Sequence, residues 1–329
     1  MLRLLVLAAG AVVATAARNA FDWDSITHMY AFGDSYTFVG GTLGHANFSF
    51  IGDAFDLAFT PAQLLQNQII FRNTSSDGAN WIEFLTGCFE GEPSECTKQL
   101  WDFAFAGSDI DGNLLPLHHN FTVPLDDQVE QWVTYASEVI PHPEDSTMTA
   151  WWIGINDTGD SLGNSSVSIQ FSFRYPKATL EKISNFTEFF ETEMTSYFTS
   201  VQKAHDNGLH THLFINVPAE ERSPSSLGSP TKAASLKANI LLYNSILAQH
   251  ITAFKATNPD ATIMTFDSNS WFNQILDTAS EFGFTNITGF CTCTDPEGFF
   301  WFDSGHPTEA VHKLLANAIE TELRDPTFV

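Results

Sequence analysis

Five uninterrupted apolar runs constrain this chain more than any other feature: Ile26–Phe32, Leu100–Phe105, Met148–Ile155, His212–Val217 and Ala261–Phe266. A strand with one face in water alternates apolar and polar residues. A continuous run marks a strand covered on both faces, which is the situation in a parallel sheet. Stretches of helical periodicity lie between and after the runs. Phe186–His205 sets Phe189, Phe190, Met194, Tyr197, Phe198 and Val201 near one face and stops at Asn207-Gly208. Leu125–Val139 carries Val129, Trp132, Val133 and Ala136 in the same way, and Trp81–Leu85 is a short helix. Lys232–Phe254 and Thr308–Leu323 complete the set, the last following Pro307. This alternation predicts a three-layer α/β/α sandwich on a five-stranded parallel sheet. Ser223–Pro230 reads as a loop, and no repeat or linker interrupts the pattern, so residues 17–329 are expected to form one domain. In open sheets of this kind ligands collect outside the carboxyl ends of the strands.

The first residues are expected to be absent from that domain. Arg3, the apolar run Leu4–Val13 and Ala14-Thr15-Ala16 form a secretory signal cleaved after Ala16, and no later segment has the apolar length of a membrane span. Export agrees with seven glycosylation sequons, at Asn47, Asn73, Asn120, Asn156, Asn164, Asn185 and Asn286. It also agrees with the even number of cysteines, Cys88, Cys96, Cys291 and Cys293. Three pairings are open. A Cys88–Cys96 staple, which leaves Cys291–Cys293, is preferred over a zinc site because no second Cys/His pair stands at finger spacing. The net charge of −25, from 39 acidic and 14 basic residues, excludes a nucleic-acid partner, since phosphate backbones reward clustered cations. The 30 phenylalanines are compatible with a thick core, a carbohydrate platform or a lipid-facing surface.

Gly-x-Ser-x-Gly, Walker A, dinucleotide and His-Glu-x-x-His signatures are missing. Polar residues stand instead at three strand ends. They are Phe32-Gly33-Asp34-Ser35, Phe105-Ala106-Gly107-Ser108 and Gly154-Ile155-Asn156-Asp157, followed near the C-terminus by Asp303-Ser304-Gly305-His306. Each alone is as common as a turn or a helix cap. A serine hydroxyl becomes a nucleophile when a base takes its proton, and His306 is the candidate base. Asp303, three residues before it on the same loop with only Ser304 and Gly305 between, would orient the imidazole. The backbone N–H groups of Ser35 and Gly107 and the side-chain amide of Asn156 would stabilise an oxyanion. A glycan on Asn156 would block that site, so this sequon is expected to be unmodified.

In their order and spacing these four blocks resemble the SGNH hydrolases, also called the GDSL esterase/lipase superfamily, over roughly residues 28–320. The resemblance implies a flavodoxin-like sandwich, a Ser35–His306–Asp303 triad and a Ser35, Gly107, Asn156 oxyanion hole. A closer similarity is to the secreted fungal acetylesterases of carbohydrate esterase family 16. It rests on Phe-Gly-Asp-Ser-Tyr, on Trp152-Ile-Gly-Ile-Asn-Asp157 and on Asn216-Val-Pro-Ala-Glu-Glu-Arg-Ser-Pro224, where Ala219 replaces a proline of the subgroup. That similarity implies removal of acetyl groups from sugars such as xylo-oligosaccharides without metal or organic cofactor; a monomer is expected. Tyr36, Trp152, Arg222 and Trp301 are the candidate substrate contacts. For aromatics beside packed strands, including Phe38, Trp81, Trp151, Phe300 and Phe302, a place in the core is the ordinary outcome. His118-His119, near Asp109 and Asp111, reads as a rim loop in preference to a metal site, His210-Thr211-His212 as surface or core, and Asp34 as a support for the turn. A lipase or phospholipase acting on longer acyl chains, and a non-catalytic carbohydrate-binding protein, are the competing readings.

Overall fold

The computed structural model describes residues 21–52, 60–163, 183–325 and 327; the Met1–Ala16 leader and the Asn164 sequon lie outside the described residues. Five parallel strands, β1 (His28–Gly33), β2 (Gln99–Asp102), β3 (Thr147–Trp152), β4 (Thr211–Ile215) and β5 (Thr262–Phe266), form one sheet in the order β2-β1-β3-β4-β5. Every residue of β1 and β3 is buried, which is why their sequences do not alternate. Ala31 of β1 pairs with Asp102 on one side and Ala150 on the other. The chain leaves β1 for the β2 edge and leaves β3 for the β4 edge. The connections therefore diverge at the carboxyl ends of these two neighbours, where such sheets open a crevice.

The main helices are α1 (Trp81–Thr86), α2 (Leu125–Gln131), α3 (Ile155–Asp160), α4 (Phe186–Asp206), α5 (Pro230–Thr257), α6 (Ser268–Asp277) and α7 (Glu309–Leu323). α2, α4 and α5 pack side by side, and α1 packs on α7, giving the two outer layers. α4 begins at Asn185, whose side chain accepts the Glu188 N–H, and buries Phe190, Met194, Tyr197 and Val201. The sheet and its helices are those the sequence predicts, with local differences. The helix expected over Leu125–Val139 is α-helical only to Gln131 and continues as a wider π turn over Trp132–Ala136. Ser223–Pro230 is not wholly a loop: Pro224–Leu227 is helical with proline in its first turn, and Pro230 opens α5. A parallel pair, β6 (Asn286–Phe290) and β7 (Phe299–Trp301), lies apart from the main sheet and was not anticipated.

Both expected disulfides are present, Cys88–Cys96 and Cys291–Cys293, with Cα separations of 5.5 and 5.1 Å. Seven of the eight tryptophans are fully buried, as are Phe32, Phe50, Phe190, Phe272 and Phe300. Each such side chain contributes roughly 2–3 kcal/mol of burial, so the aromatic richness serves mainly the core.

Candidate active site

At the end of β1 the backbone is held too tightly for any side chain at position 33. A Cβ on Gly33 would lie 2.2 Å from the Trp152 carbonyl oxygen of β3. The Gln128 side chain of α2 clamps the same residue, accepting the Gly33 N–H (3.0 Å) and donating to the Gly33 carbonyl (2.8 Å). It also donates to Ser108 Oγ at 2.9 Å, joining the first block to the second. The next residue, Asp34, is wholly buried and accepts the Tyr36 N–H. Burial pushes its carboxyl up to about 8, and the charge of Asp157 works in the same direction. Asp34 is therefore a neutral support for the turn that presents Ser35.

Ser35 Oγ lies 2.8 Å from His306 Nε2, and His306 Nδ1 lies 2.8 and 3.0 Å from the two oxygens of Asp303. The loop that carries the latter two is closed on itself. Asp303 Oδ1 accepts the backbone N–H groups of Gly305 and His306, the Phe302 N–H donates to the His306 carbonyl, and Trp301 bridges to Pro307. Burial alone would raise the Asp303 carboxyl. The hydrogen bond and charge of His306, with the two backbone donors, outweigh burial and hold it below the usual carboxylate range. This arrangement suits the tautomer in which His306 donates from Nδ1 to Asp303 and turns Nε2 to Ser35 as an acceptor.

β1 lies between β2 and β3, so their parallel register brings the Gly107 and Asn156 loops to either side of Ser35. Gly107 has φ +78°, a left-handed conformation that favours glycine. Asn156 stands in the first turn of α3, beyond the end of the strand expected to carry it, and donates one amide N–H to the Ser108 carbonyl at 2.9 Å. Its amide has a second N–H, and among the described residues the backbone N–H groups of Ser35 and Gly107 donate to nothing. Three N–H groups beyond adjacent strands are thus left without an acceptor among the described residues.

The pattern that defines the GDSL-like Lipase/Acylhydrolase family matches residues 29–319, from β1 into α7. The chain belongs to that family. Over 324 residues the esterase is 26% identical to an acetylesterase of Thermothelomyces thermophilus, an alignment covering 96% of this chain and 94% of the relative. A GDSL esterase/lipase of Arabidopsis thaliana is 24% identical over 61% of this chain and 58% of its own length. Among solved structures, an acetyl xylan esterase of Geobacillus stearothermophilus aligns over 92% of this chain and 97% of its own, at 12% identity and a TM-score of 0.43. The esterase is a carboxylic ester hydrolase, and among its described residues no helix is long and apolar enough to cross a membrane.

The structure places the candidate substrate contacts differently from the sequence expectation. Trp152 and Trp301 are completely buried, their indole N–H groups donating to the carbonyls of Asn216 and Ile287. Tyr36 is 1% exposed, and its hydroxyl meets Glu220 and the Gly305 carbonyl. None of the three has a face on which a sugar can stack. Arg222 is spent on Asn273 and Asp277 of α6, where it braces the loop after β4. The adjacent histidines separate: His119 packs on Phe48 and Phe121, whereas His118 Nε2 lies 2.5 Å from Asp160, within reach of Asp109. Burial opposes the charge of His118, but the hydrogen bond and charge of Asp160 outweigh it and raise the imidazole above its usual range. The Asp109 carboxyl, buried with neither oxygen hydrogen-bonded, is raised well above the usual range by burial and by its acidic neighbours.

Gln128 and Glu220 escaped the sequence reading as partners of the site. Each acts across a long separation, 95 residues to Gly33 and 184 to Tyr36, which no local pattern reveals. Nor does concavity point to this site, since a cavity of about 530 Å³ lined by Phe84, Phe282, Glu297 and Lys313 includes none of Ser35, Asp303 and His306.

Proposed function

We propose that the protein is a secreted serine esterase that removes acetyl groups from plant cell-wall oligosaccharides, processed after Ala16 and folded as one domain over residues 17–329. The observation that carries this reading is the continuous chain of contacts from Ser35 Oγ through His306 to Asp303. Ser35 attacks the ester carbonyl carbon as its proton passes to His306 Nε2. The Ser35 and Gly107 N–H groups and the Asn156 amide hold the resulting oxyanion. His306 then gives the proton to the departing sugar oxygen as the C–O bond breaks, and water, activated by the same imidazole, hydrolyses the acyl-serine to acetate and free Ser35. None of these steps calls on a metal. Preference for acetyl rests on the similarity to the fungal acetylesterase, and the sugar on the motifs shared with carbohydrate esterase family 16.

A p-nitrophenyl ester series from acetate to octanoate, run with the wild type and Ser35→Ala, tests the reading. Acetate should be the best substrate, and Ser35→Ala should lose on the order of 10⁴–10⁶-fold in kcat. Equal rates for the two proteins would remove Ser35 from the chemistry. A preference for octanoate would make the enzyme a long-chain lipase. Release of acetate from acetylated xylo-oligosaccharides then tests the sugar.

A further inference from the structure

Tyr36 and the Glu220 segment stand in the two most distinctive stretches of the sequence, and neither is used by the chemistry above. The structure joins them through the loop that carries His306. The Tyr36 hydroxyl meets two oxygens, Glu220 Oε1 and, at 2.6 Å, the Gly305 carbonyl. A phenol has one proton and a carbonyl has none. With Glu220 ionised, the single phenolic hydrogen would have to serve both contacts, and one pair of oxygens would face each other lone pair to lone pair. Both contacts are satisfied when Glu220 is a neutral acid that donates to the Tyr36 oxygen while Tyr36 donates to Gly305. The same segment holds the loop a second time, since the Ser225 N–H donates to the Ser304 carbonyl at 2.9 Å. The two carbonyls between Asp303 and His306 are thus both anchored, that of Ser304 by Ser225 and that of Gly305 by Tyr36, which Glu220 in turn contacts.

We propose that Glu220 is a positioning residue that works in its protonated form, fixing the His306 loop through Tyr36, and that loss of its proton releases the loop and lowers activity in alkaline solution. This rests on the Ser35–His306–Asp303 reading. The surroundings suit a neutral acid. Glu220 is 7% exposed and faces Tyr36 and the carboxyl groups of Glu221, Asp34 and Asp303. Lys237 of α5 pairs with Glu221, 3.6 Å away. On the other side of the Tyr36 ring lie the imidazoles of His306 and His312, 5.6 and 6.3 Å between centroids, and burial holds His312 neutral, down at about 3. Burial pushes Glu220 up to about 8, with the three carboxyl neighbours adding to the rise and the Tyr36 hydrogen bond opposing it. The relay is therefore intact below that pH and lost above it.

The test is the pH profile of kcat and KM for acetate ester hydrolysis by the wild type, Glu220→Gln and Tyr36→Phe. The wild type should lose kcat on an alkaline limb centred near pH 8, with KM unchanged. Glu220→Gln keeps a donor and cannot titrate. It should hold kcat at neutral pH within about threefold, the scale of half a net hydrogen bond, and lose the limb. Tyr36→Phe removes the relay and should lose about tenfold in kcat at every pH, with the limb flattened. A limb unchanged in Glu220→Gln overturns the proposal. If that variant does not fold, an unchanged limb in Tyr36→Phe, which retains the acid without the relay, is equally decisive. Labelling of the wild type and both variants with a fluorophosphonate separates the two readings. Failure to label Ser35 in the wild type sinks the triad, whereas intact labelling with a persistent limb sinks only the relay.

Discussion

The candidate site is assembled from two regions held by different means. On the sheet side Ser35, Gly107 and Asn156 follow three adjacent parallel strands, and the register of the ladder, reinforced by Gln128, sets their separation. On the loop side Asp303 and His306 occupy the connection between β7 and α7, residues 302–308, which is fixed by its own hydrogen bonds and by the tethers from Tyr36 and Ser225. The electrostatics differ in the same sense. Burial leaves Asp34, beside Ser35, neutral at ordinary pH, whereas donors hold the part-exposed Asp303 below the usual carboxylate range although burial opposes its charge too. A sheet can position backbone donors without charge. A base needs a charged partner to stabilise the imidazolium it becomes, and a short loop rich in N–H groups supplies the means to keep that charge.

The strongest way to break this contrast is Asp303→Asn. It preserves the shape of the loop but removes the charge and favours the wrong tautomer, so kcat should fall on the order of 10⁴-fold with little change in melting temperature. A loss below about tenfold would show that the loop orients His306 without help from the carboxylate. On the sheet side, Asn156→Ala deletes one donor of three and should cost about 10²–10³ in kcat with KM little changed. Glycopeptide mass spectrometry should find Asn156 without a glycan in active protein, because the nitrogen that would carry one donates to Ser108. If Asn156→Ala were as damaging as Asp303→Asn, the division between the two regions would not hold.

The two regions were also unequally legible. The sheet side could be read because parallel strands buried on both faces leave uninterrupted apolar runs, and the polar residue after each run stands out. The sheet and the residues that follow its strands, Ser35, Gly107 and Asn156, are named by those signals, whereas the disulfides are read from the cysteine count. The loop side announced only Asp303 and His306. Its supporting strands gave no such signal: β6 includes Asn286, Thr288 and Gly289 and is half exposed, and β7 is three residues long. Tethers from Tyr36 and Ser225 join residues far apart in sequence, so pattern does not reveal them. The aromatics misled for a related reason. Trp152 and Trp301 stand beside the motifs in sequence, but position along a strand does not say which way the ring turns, and both turn into the core.

Arg222 sharpens the comparison at its weakest point, because it is the one substrate-contact candidate that is not buried. Its guanidinium reaches Asn273 Oδ1 at 2.9 Å and Asp277 Oδ1 at 2.8 Å, tying the segment that tethers the His306 loop to α6. The Asp277 carboxylate is two-thirds exposed, so solvent screens the pair and its net contribution is about 0–1 kcal/mol. Arg222→Ala should therefore lower the melting temperature by only a few degrees and leave KM for acetylated xylo-oligosaccharides within about twofold. If the brace also steadies the loop, the residual effect will be a small drop in kcat, shared by soluble aryl acetates and oligosaccharides alike. A KM increase confined to the oligosaccharides would place Arg222 against the sugar and move part of substrate recognition to the loop side of the site.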